Sequence, residues 1–184
     1  MADVRDIYDT IRSISRNKTR ISDAHAIYRQ RSSRLRALLS MVSRRHSFTT
    51  ETVTDVMVGP ARPGDFSPLV AGWVYRHLWD LRHSNSIVQE VVDPREHVNL
   101  RYSMDQLRSW TNTIRRPGVC QQKLEEIARK VNGIPQELQA RLCKINSEGA
   151  KLQQIIDKIE NTPGGVEVAT LIEASDEGSS AEED

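Results

Sequence analysis

Heptad spacing of apolar residues in the first quarter of the chain most constrains its fold. If Val4 is taken as an a position, every d position up to residue 42 is apolar or aromatic. No proline or glycine occurs between Met1 and Thr50. A 3–4 spacing held this long predicts one long helix, roughly 58 Å in length for residues 4–42 at 1.5 Å per residue. The d series comprises Ile7, Ile14, Ile21, Tyr28, Leu35 and Val42.

The a positions of the same helix argue against a simple parallel dimer of this chain. Lys18, His25 and Ser32 occupy three successive a positions, where polar residues weaken a two-stranded coil. In a parallel homodimer Arg31 at g would also face Arg36 at the next e of the partner, and these charges repel. We therefore expect this helix to pack against other helices of the chain or to pair with an acidic partner.

A second heptad pattern covers residues 118–161. All of its a positions are apolar, and Ala128, Leu142 and Ile156 widen the stripe, as in a bundle helix that faces several neighbours. Asn132-Gly133 predicts a break into two helices, since glycine often ends a helix. The a series comprises Leu124, Val131, Leu138, Ile145, Leu152 and Ile159. Both heptad series are predicted to serve helix packing or oligomerisation.

Turn residues and tryptophans characterise the middle of the chain. Glycines and prolines within residues 47–65 predict a connector. Ser67-Pro68 then predicts the start of a helix that ends near His83. A further helix is expected to begin after Ser103 and to stop at Arg116-Pro117-Gly118. The central helices hold Trp73, Trp79 and Trp110, which we expect to contribute to the core.

These patterns predict an all-α protein, an elongated helical bundle with coiled-coil-like N- and C-terminal helices and a disordered acidic tail. The predicted segments are a basic heptad helix (1–46), a connector (47–65), Trp-containing central helices (66–117), C-terminal bundle helices (118–161) and the tail (162–184).

Charge is distributed very unevenly, although the net charge is only +1. Residues 1–50 hold 11 lysines and arginines against 4 aspartates and glutamates, and only one of the 11 is a lysine. Residues 162–184 hold 7 acidic residues and no basic residue. A basic end and an acidic end on a nearly neutral chain indicate contact with a polyanion, for which the tail can compete.

The arginines of the first helix are the candidate nucleic-acid-binding residues. The guanidinium group binds phosphate through two parallel hydrogen bonds and stays charged. No base-reading motif accompanies the arginines, so binding should be dominated by backbone charge and depend on salt. The alternative interpretation is a solvated helix face. The candidates are Arg12, Arg16, Lys18, Arg20, Arg29, Arg31, Arg34, Arg36, Arg44 and Arg45.

The function predicted is therefore a non-enzymatic assembly protein that self-associates and binds nucleic acid, RNA rather than DNA, by analogy with nucleocapsid-like or genome-associated viral proteins. The other open interpretation is a protein-only scaffold or adaptor whose basic helix binds an acidic partner. The sequence contains none of the motifs GxxxxGK[ST], GxGxxG, GxSxG and HExxH. The spacings of the five histidines and two cysteines predict no metal site, and we expect no cofactor.

Composition also predicts the cellular location of the protein and the role of its acidic tail. No apolar run reaches the ~20 residues of a membrane span, so no membrane partner is expected, and we expect an intracellular protein, either cytoplasmic or nuclear. In the tail, Ser175, Ser179 and Ser180 lie among acids and are candidate phosphorylation sites. The tail itself is predicted to inhibit nucleic-acid binding, to dock a partner or only to aid solubility.

Overall fold

The computed structural model describes residues 2–48, 68–93 and 102–161, and over this part of the chain the protein is all-α. The predicted fold class is thus confirmed. The acidic tail and residues 49–67 and 94–101 lie outside the described residues, as do the three candidate phosphorylation sites. The helices are α1 (Val4–Arg45), α2 (Pro68–Val92), α3 (Met104–Arg115), α4 (Gln121–Val131) and α5 (Ile134–Glu160).

Helix α1 is the single long helix that the first heptad pattern predicts. Asp3 caps its first turn, since Asp3 Oδ1 accepts a hydrogen bond from the backbone N–H of Arg5 at 2.9 Å. At the other end, Phe48 N–H donates to Ser43 O and Ser47 N–H donates to Arg44 O. These two bonds form a Schellman motif, with Ser47 in the left-handed region at φ 64° and Phe48 buried.

Helix α2 extends beyond the predicted end near His83, and that prediction is wrong. The polar run Ser84-Asn85-Ser86 resembles a helix end, but a tertiary partner accommodates it inside the helix. Ser84 is buried, and the hydroxyl of Ser32 on α1 donates to Asn85 Oδ1 at 3.1 Å. The apolar face then resumes with buried Val88 and Val91.

The predicted boundaries of the last three helices are confirmed. Ser103 is the N-cap of α3, and its hydroxyl accepts from the N–H of Gln106 at 3.1 Å. The chain leaves α3 through Gly118, which has φ 83°. Asn132 and Gly133 separate α4 from α5, and Gly133 adopts φ 79°, a conformation that costs glycine little.

The helices contribute to two compact units. The first contains residues 2–28, 87–93 and 102–148, so it combines the start of α1, the end of α2, α3, α4 and the start of α5. Its most deeply buried large side chains include Ile14, Leu107, Ile127, Leu138 and Ile145.

The second unit contains residues 29–48, 68–86 and 149–161. In it, segments of α1, α2 and α5 surround a core whose fully buried members include Leu35, Leu39, Val74, Leu81 and Leu152.

Candidate nucleic-acid interface

In the first unit, three of the candidate arginines form a row along the solvent side of α1. Arg12, Arg16 and Arg20 are spaced four residues apart and all are exposed. Four-residue steps place side chains on one face of a helix, at a rise of about 6 Å each. Ile7, Ile14 and Ile21 are buried, and this burial fixes the opposite face of the helix and points the row outwards. We call Arg12, Arg16 and Arg20 the arginine row.

The arginine row has no neutralising partner within the part of the chain that the structure describes. No carboxylate there lies within ion-pair distance of these guanidinium groups, and no described hydrogen bond involves them. Asp9 and Asp23 lie near the two ends of the row without pairing with it. About 12 Å of axial length therefore carries three guanidinium groups that no described carboxylate compensates.

An aromatic residue and a further arginine extend this surface. Tyr8 precedes Arg12 by one helical turn, and Arg115 of α3 lies against it. Arg115 Nη2 donates to the Tyr8 hydroxyl at 2.7 Å, and its guanidinium carbon is 4.8 Å from the centre of the ring. This cation–π contact fixes Arg115 beside α1. Sequence analysis did not identify either residue, because 107 positions separate them and neither belongs to a motif.

Lys18 differs from the row. It occupies an a position on the inner side of α1 and is half-buried, and this burial lowers the pKa of its ammonium group. A lysine so placed is less suited than the exposed arginines to meet a phosphate from solvent.

The remaining candidate arginines belong to the second unit. Arg29, Arg36, Arg44 and Arg45 are exposed, and Arg31 is half-buried. Arg34 is exposed but already paired: its Nη2 lies 2.6 Å from Glu160 Oε1 and its Nε donates to the same oxygen at 2.7 Å. The other five arginines make no described ion pair within that unit, so they form a second group of exposed or partly exposed cations.

The heptad residues pack inside the chain. In both series they are buried except for Ile159, which is partly exposed. Because these side chains already contact other helices of the same chain, they are not available to a second copy, and self-association would require another surface. This placement agrees with the expectation that α1 packs against helices of its own chain.

Two of the three tryptophans lie in the core as expected. Trp73 and Trp110 are only 5% and 6% exposed, whereas Trp79 is 56% exposed, so the prediction is wrong for Trp79. The reason is its position on α2. At 100° per residue it is directed roughly 140° away from the fully buried Val74.

Other kinds of site receive no support from the described residues. Within residues 2–48, 68–93 and 102–161, no three His, Cys, Asp or Glu side chains are grouped so as to hold a metal ion. Cys120 and Cys143 are both free and exposed. None of the described helices combines the length and the apolarity that crossing a membrane requires.

Comparison with known proteins identifies no relative. No protein-family model matches the chain, and no curated protein or solved structure is significantly similar to it.

Proposed function

We propose that this chain is a non-enzymatic helical protein that binds nucleic acid, RNA in preference to DNA, through the arginines of α1. The observation that carries the proposal is the arginine row, which is exposed, regularly spaced and unpaired within the described residues. A long helix packed on one side presents these charges at fixed spacing. Along one strand of B-form DNA the phosphates are about 3.4 Å apart in the axial direction. A row of about 12 Å is therefore long enough for each of its three guanidinium groups to contact a phosphate.

The electrostatic asymmetry of α1 supports this assignment over a merely solvated face. Ion pairs between neighbouring helical positions typify solvated charged faces, and they occur elsewhere in this protein. Lys123 and Lys130 both pair with Glu126 on α4, for example. The arginine row lacks such pairs within the described residues, although Asp9 and Asp23 lie within one turn of its ends. Free guanidinium groups are the form that can replace the counterions of a phosphate backbone.

Neutralising the row tests the proposal. The variant Arg12→Gln/Arg16→Gln/Arg20→Gln removes three charges from exposed positions, so circular dichroism and thermal unfolding should be nearly unchanged. Binding to a labelled single-stranded RNA should weaken. The slope of log affinity against log salt should fall by about 2, because each phosphate neutralised on a single strand contributes about 0.7 to that slope.

A matched control removes the same charge elsewhere. The variant Arg108→Gln/Arg116→Gln/Arg129→Gln alters three exposed arginines of the same unit that lie outside α1. If both triple variants lowered the slope equally, binding would depend on net charge alone and α1 would not be the site. Parallel titrations with DNA of the same sequence test the preference for RNA.

Self-association into a genome-associated, nucleocapsid-like assembly is the second part of the proposal. Its test is light scattering of the full chain with and without RNA at low and high salt. Salt-sensitive complexes that contain several chains per RNA would support it. Free monomers and complexes of one chain per RNA under all conditions would contradict it.

A protein-only adaptor is the alternative, and the pair between Arg34 and Glu160 favours it. That ion pair shows that an arginine of α1 can receive a carboxylate from a neighbouring helix. Neutralising Arg29, Arg31, Arg34 and Arg36 together separates the two functions. The adaptor function predicts that the wild-type chain binds an acidic helical peptide and no RNA, and that this variant loses the peptide. The nucleic-acid function predicts instead that the variant loses affinity for RNA while it stays folded.

A further inference from the structure

Trp79 presents a large aromatic surface on the solvent side of α2. Trp79 is 56% exposed. The indole stacks on the imidazole of His83, with ring centres 5.2 Å apart and planes inclined by 8°. His83 is exposed as well. The imidazole lies against part of one face of the indole and orients it. Trp79 nevertheless stays more than half exposed, so a ligand can still contact its ring.

Two arginines flank this aromatic pair on the same helix. Arg76 precedes Trp79 by three residues and Arg82 follows it by three, so both are one-turn neighbours of the indole. Both side chains are exposed. Across the described residues neither makes a hydrogen bond or an ion pair. The surface thus combines a flat ring with two cations that have no partner among the described residues.

The acid next to Trp79 in sequence makes no ion pair with either arginine within the described residues. Asp80 is adjacent to Trp79 in sequence, but its Oδ2 lies 3.6 Å from Nδ1 of the largely buried His77. Asp80 is therefore drawn towards the inner side of α2. Residues 75–83 hold two arginines and one aspartate, so this part of α2 carries a net positive charge.

An apolar helix or strand of a protein partner fits this surface poorly. Such partners need contiguous apolar contact area. The other large exposed apolar residue of α2, Leu69, is ten residues away, or about 15 Å along the helix axis. Arg76 and Gly72 occupy the face between them. An aromatic ring with flanking arginines is instead the combination by which proteins hold single-stranded nucleic acid.

We propose that Trp79, flanked by Arg76 and Arg82 on α2, is a stacking site for an unpaired base of single-stranded nucleic acid. This inference rests on the proposed nucleic-acid-binding function and names the form of nucleic acid that is bound. The base stacks on the exposed indole, and the two guanidinium groups contact the phosphates on either side of it.

The site distinguishes single strands from duplexes. In a duplex each base is stacked on its neighbours, and its π-face is not accessible to an indole. A single strand presents that face without the cost of unstacking a base pair. Because every base has a π-face, the site is expected to tolerate any sequence.

The experiment measures binding of the full-length chain to a labelled 12-nucleotide oligouridine and to a 12-base-pair duplex, at equal salt. The variant Trp79→Ala should weaken binding to the single strand about tenfold or more, and binding to the duplex far less. Trp79→Tyr keeps an aromatic ring and should retain most of the affinity. Leu69→Ala is the matched control, since it removes another exposed apolar side chain from the same helix and should have no effect.

A second readout follows the indole itself. Acrylamide quenches exposed tryptophans, and Trp79 is the exposed one among the three. Saturating oligouridine should reduce quenching of the wild-type protein to near the level of Trp79→Ala. Unchanged affinity of Trp79→Ala for oligouridine, or unchanged quenching on binding, would overturn the stacking site. Loss of self-association in Trp79→Ala without any change in RNA binding would identify a protein contact, and would overturn it as well.

The outcomes also separate this inference from the function on which it rests. If the arginine-row variant loses affinity while Trp79→Ala does not, the stacking site is wrong and the role of α1 stands. If Trp79→Ala loses affinity while the arginine-row variant does not, the α1 interface is wrong and the stacking site stands. A wild-type chain that binds neither oligonucleotide would overturn both.

Discussion

Arg34 Nη2 lies 2.6 Å from Glu160 Oε1, so the last residue of α5 holds one of the candidate arginines of α1. Both side chains are more than a third exposed, at 56% and 39%. Water and salt screen a pair of this kind, and it stabilises the fold by no more than about 1 kcal/mol. Under the proposed function, the Glu160 carboxylate also competes with phosphate for the same guanidinium group.

Releasing Arg34 should therefore strengthen RNA binding slightly. We expect Glu160→Gln to raise affinity at low salt about two- to threefold and to steepen the salt slope by up to about 0.7, the contribution of one phosphate contact to a single strand. The measurement is a salt titration of binding to oligouridine. Glu125→Gln removes an exposed charge from the other unit as a control. If Glu125→Gln raised the affinity as much as Glu160→Gln, the gain would come from net charge and not from freeing Arg34 of its ion pair.

Two residues of the C-terminal heptad series differ in burial, so replacing each by alanine should affect stability unequally. Leu152 is 1% exposed and Ile159 is only partly buried, although both occupy a positions of α5. Leu152→Ala should lower the free energy of unfolding by about 2–5 kcal/mol, because it leaves a cavity. Ile159→Ala should cost about 1 kcal/mol. Urea denaturation measures both, and equal losses of stability would contradict the packing described for the second unit.

The end of α1 stores backbone strain at Ser47. Its φ of 64° is a left-handed conformation that costs a residue with a side chain about 1 kcal/mol more than glycine. Ser47→Gly should thus stabilise the protein by about 1 kcal/mol in thermal or urea unfolding. Ser33→Gly, in the exposed interior of the same helix, should destabilise it by about 0.5 kcal/mol. A loss of stability in both variants would rule out the Schellman motif.

His77 makes stability depend on pH. Its imidazole packs edge-on against Trp73 at 4.5 Å between ring centres. Burial lowers the pKa of His77 to about 4, with smaller contributions of the same sign from Arg76 and Lys158 and an opposing one from Asp80. The Asp80 carboxylate, 3.6 Å from Nδ1, is too far for a hydrogen bond. Within the described residues Nδ1 has no hydrogen-bond partner.

The sign of the effect follows from proton binding. Between the unfolded pKa near 6.5 and the folded pKa near 4, the unfolded chain binds a proton at His77 that the folded chain does not. The contribution of neutral His77 to the free energy of unfolding is therefore fully present above pH 6.5 and is lost as the pH falls. The loss reaches about 2–3 kcal/mol at pH 4.5. Urea denaturation from pH 7.5 to 4.5 should show this loss relative to His77→Phe. Parallel pH profiles of the two proteins would contradict it.

Much of the fold was predictable because local interactions determine it. Ser103, Gly118 and Gly133 act through hydrogen bonds and backbone angles within a few residues, and each was assigned from the sequence. The end of α2 was not, because the hydrogen bond between Ser32 and Asn85 joins residues 53 positions apart. Without that partner, Ser84-Asn85-Ser86 resembles a helix terminus.

The candidate site divides in the same way. The arginines of the row were identified as candidates from the sequence, because composition and charge distribution are visible there. The sequence could not predict that Arg115 donates a hydrogen bond to Tyr8 or that Glu160 forms an ion pair with Arg34, since these contacts depend on which helices pack together.

The sequence by itself determined which side of α1 is apolar and where its positive charge is concentrated. It also determined where the described helices lie, except for the end of α2. These properties follow from a period of 3.6 residues and from caps that act within one turn. Only the tertiary structure decided that the heptad residues pack inside the chain and that Trp79 faces solvent while Trp73 and Trp110 do not. It also decided which of the described arginines of α1 pairs with a carboxylate. The physical reason is that burial and ion pairing depend on contacts between residues far apart in sequence, whereas helix formation depends on neighbours.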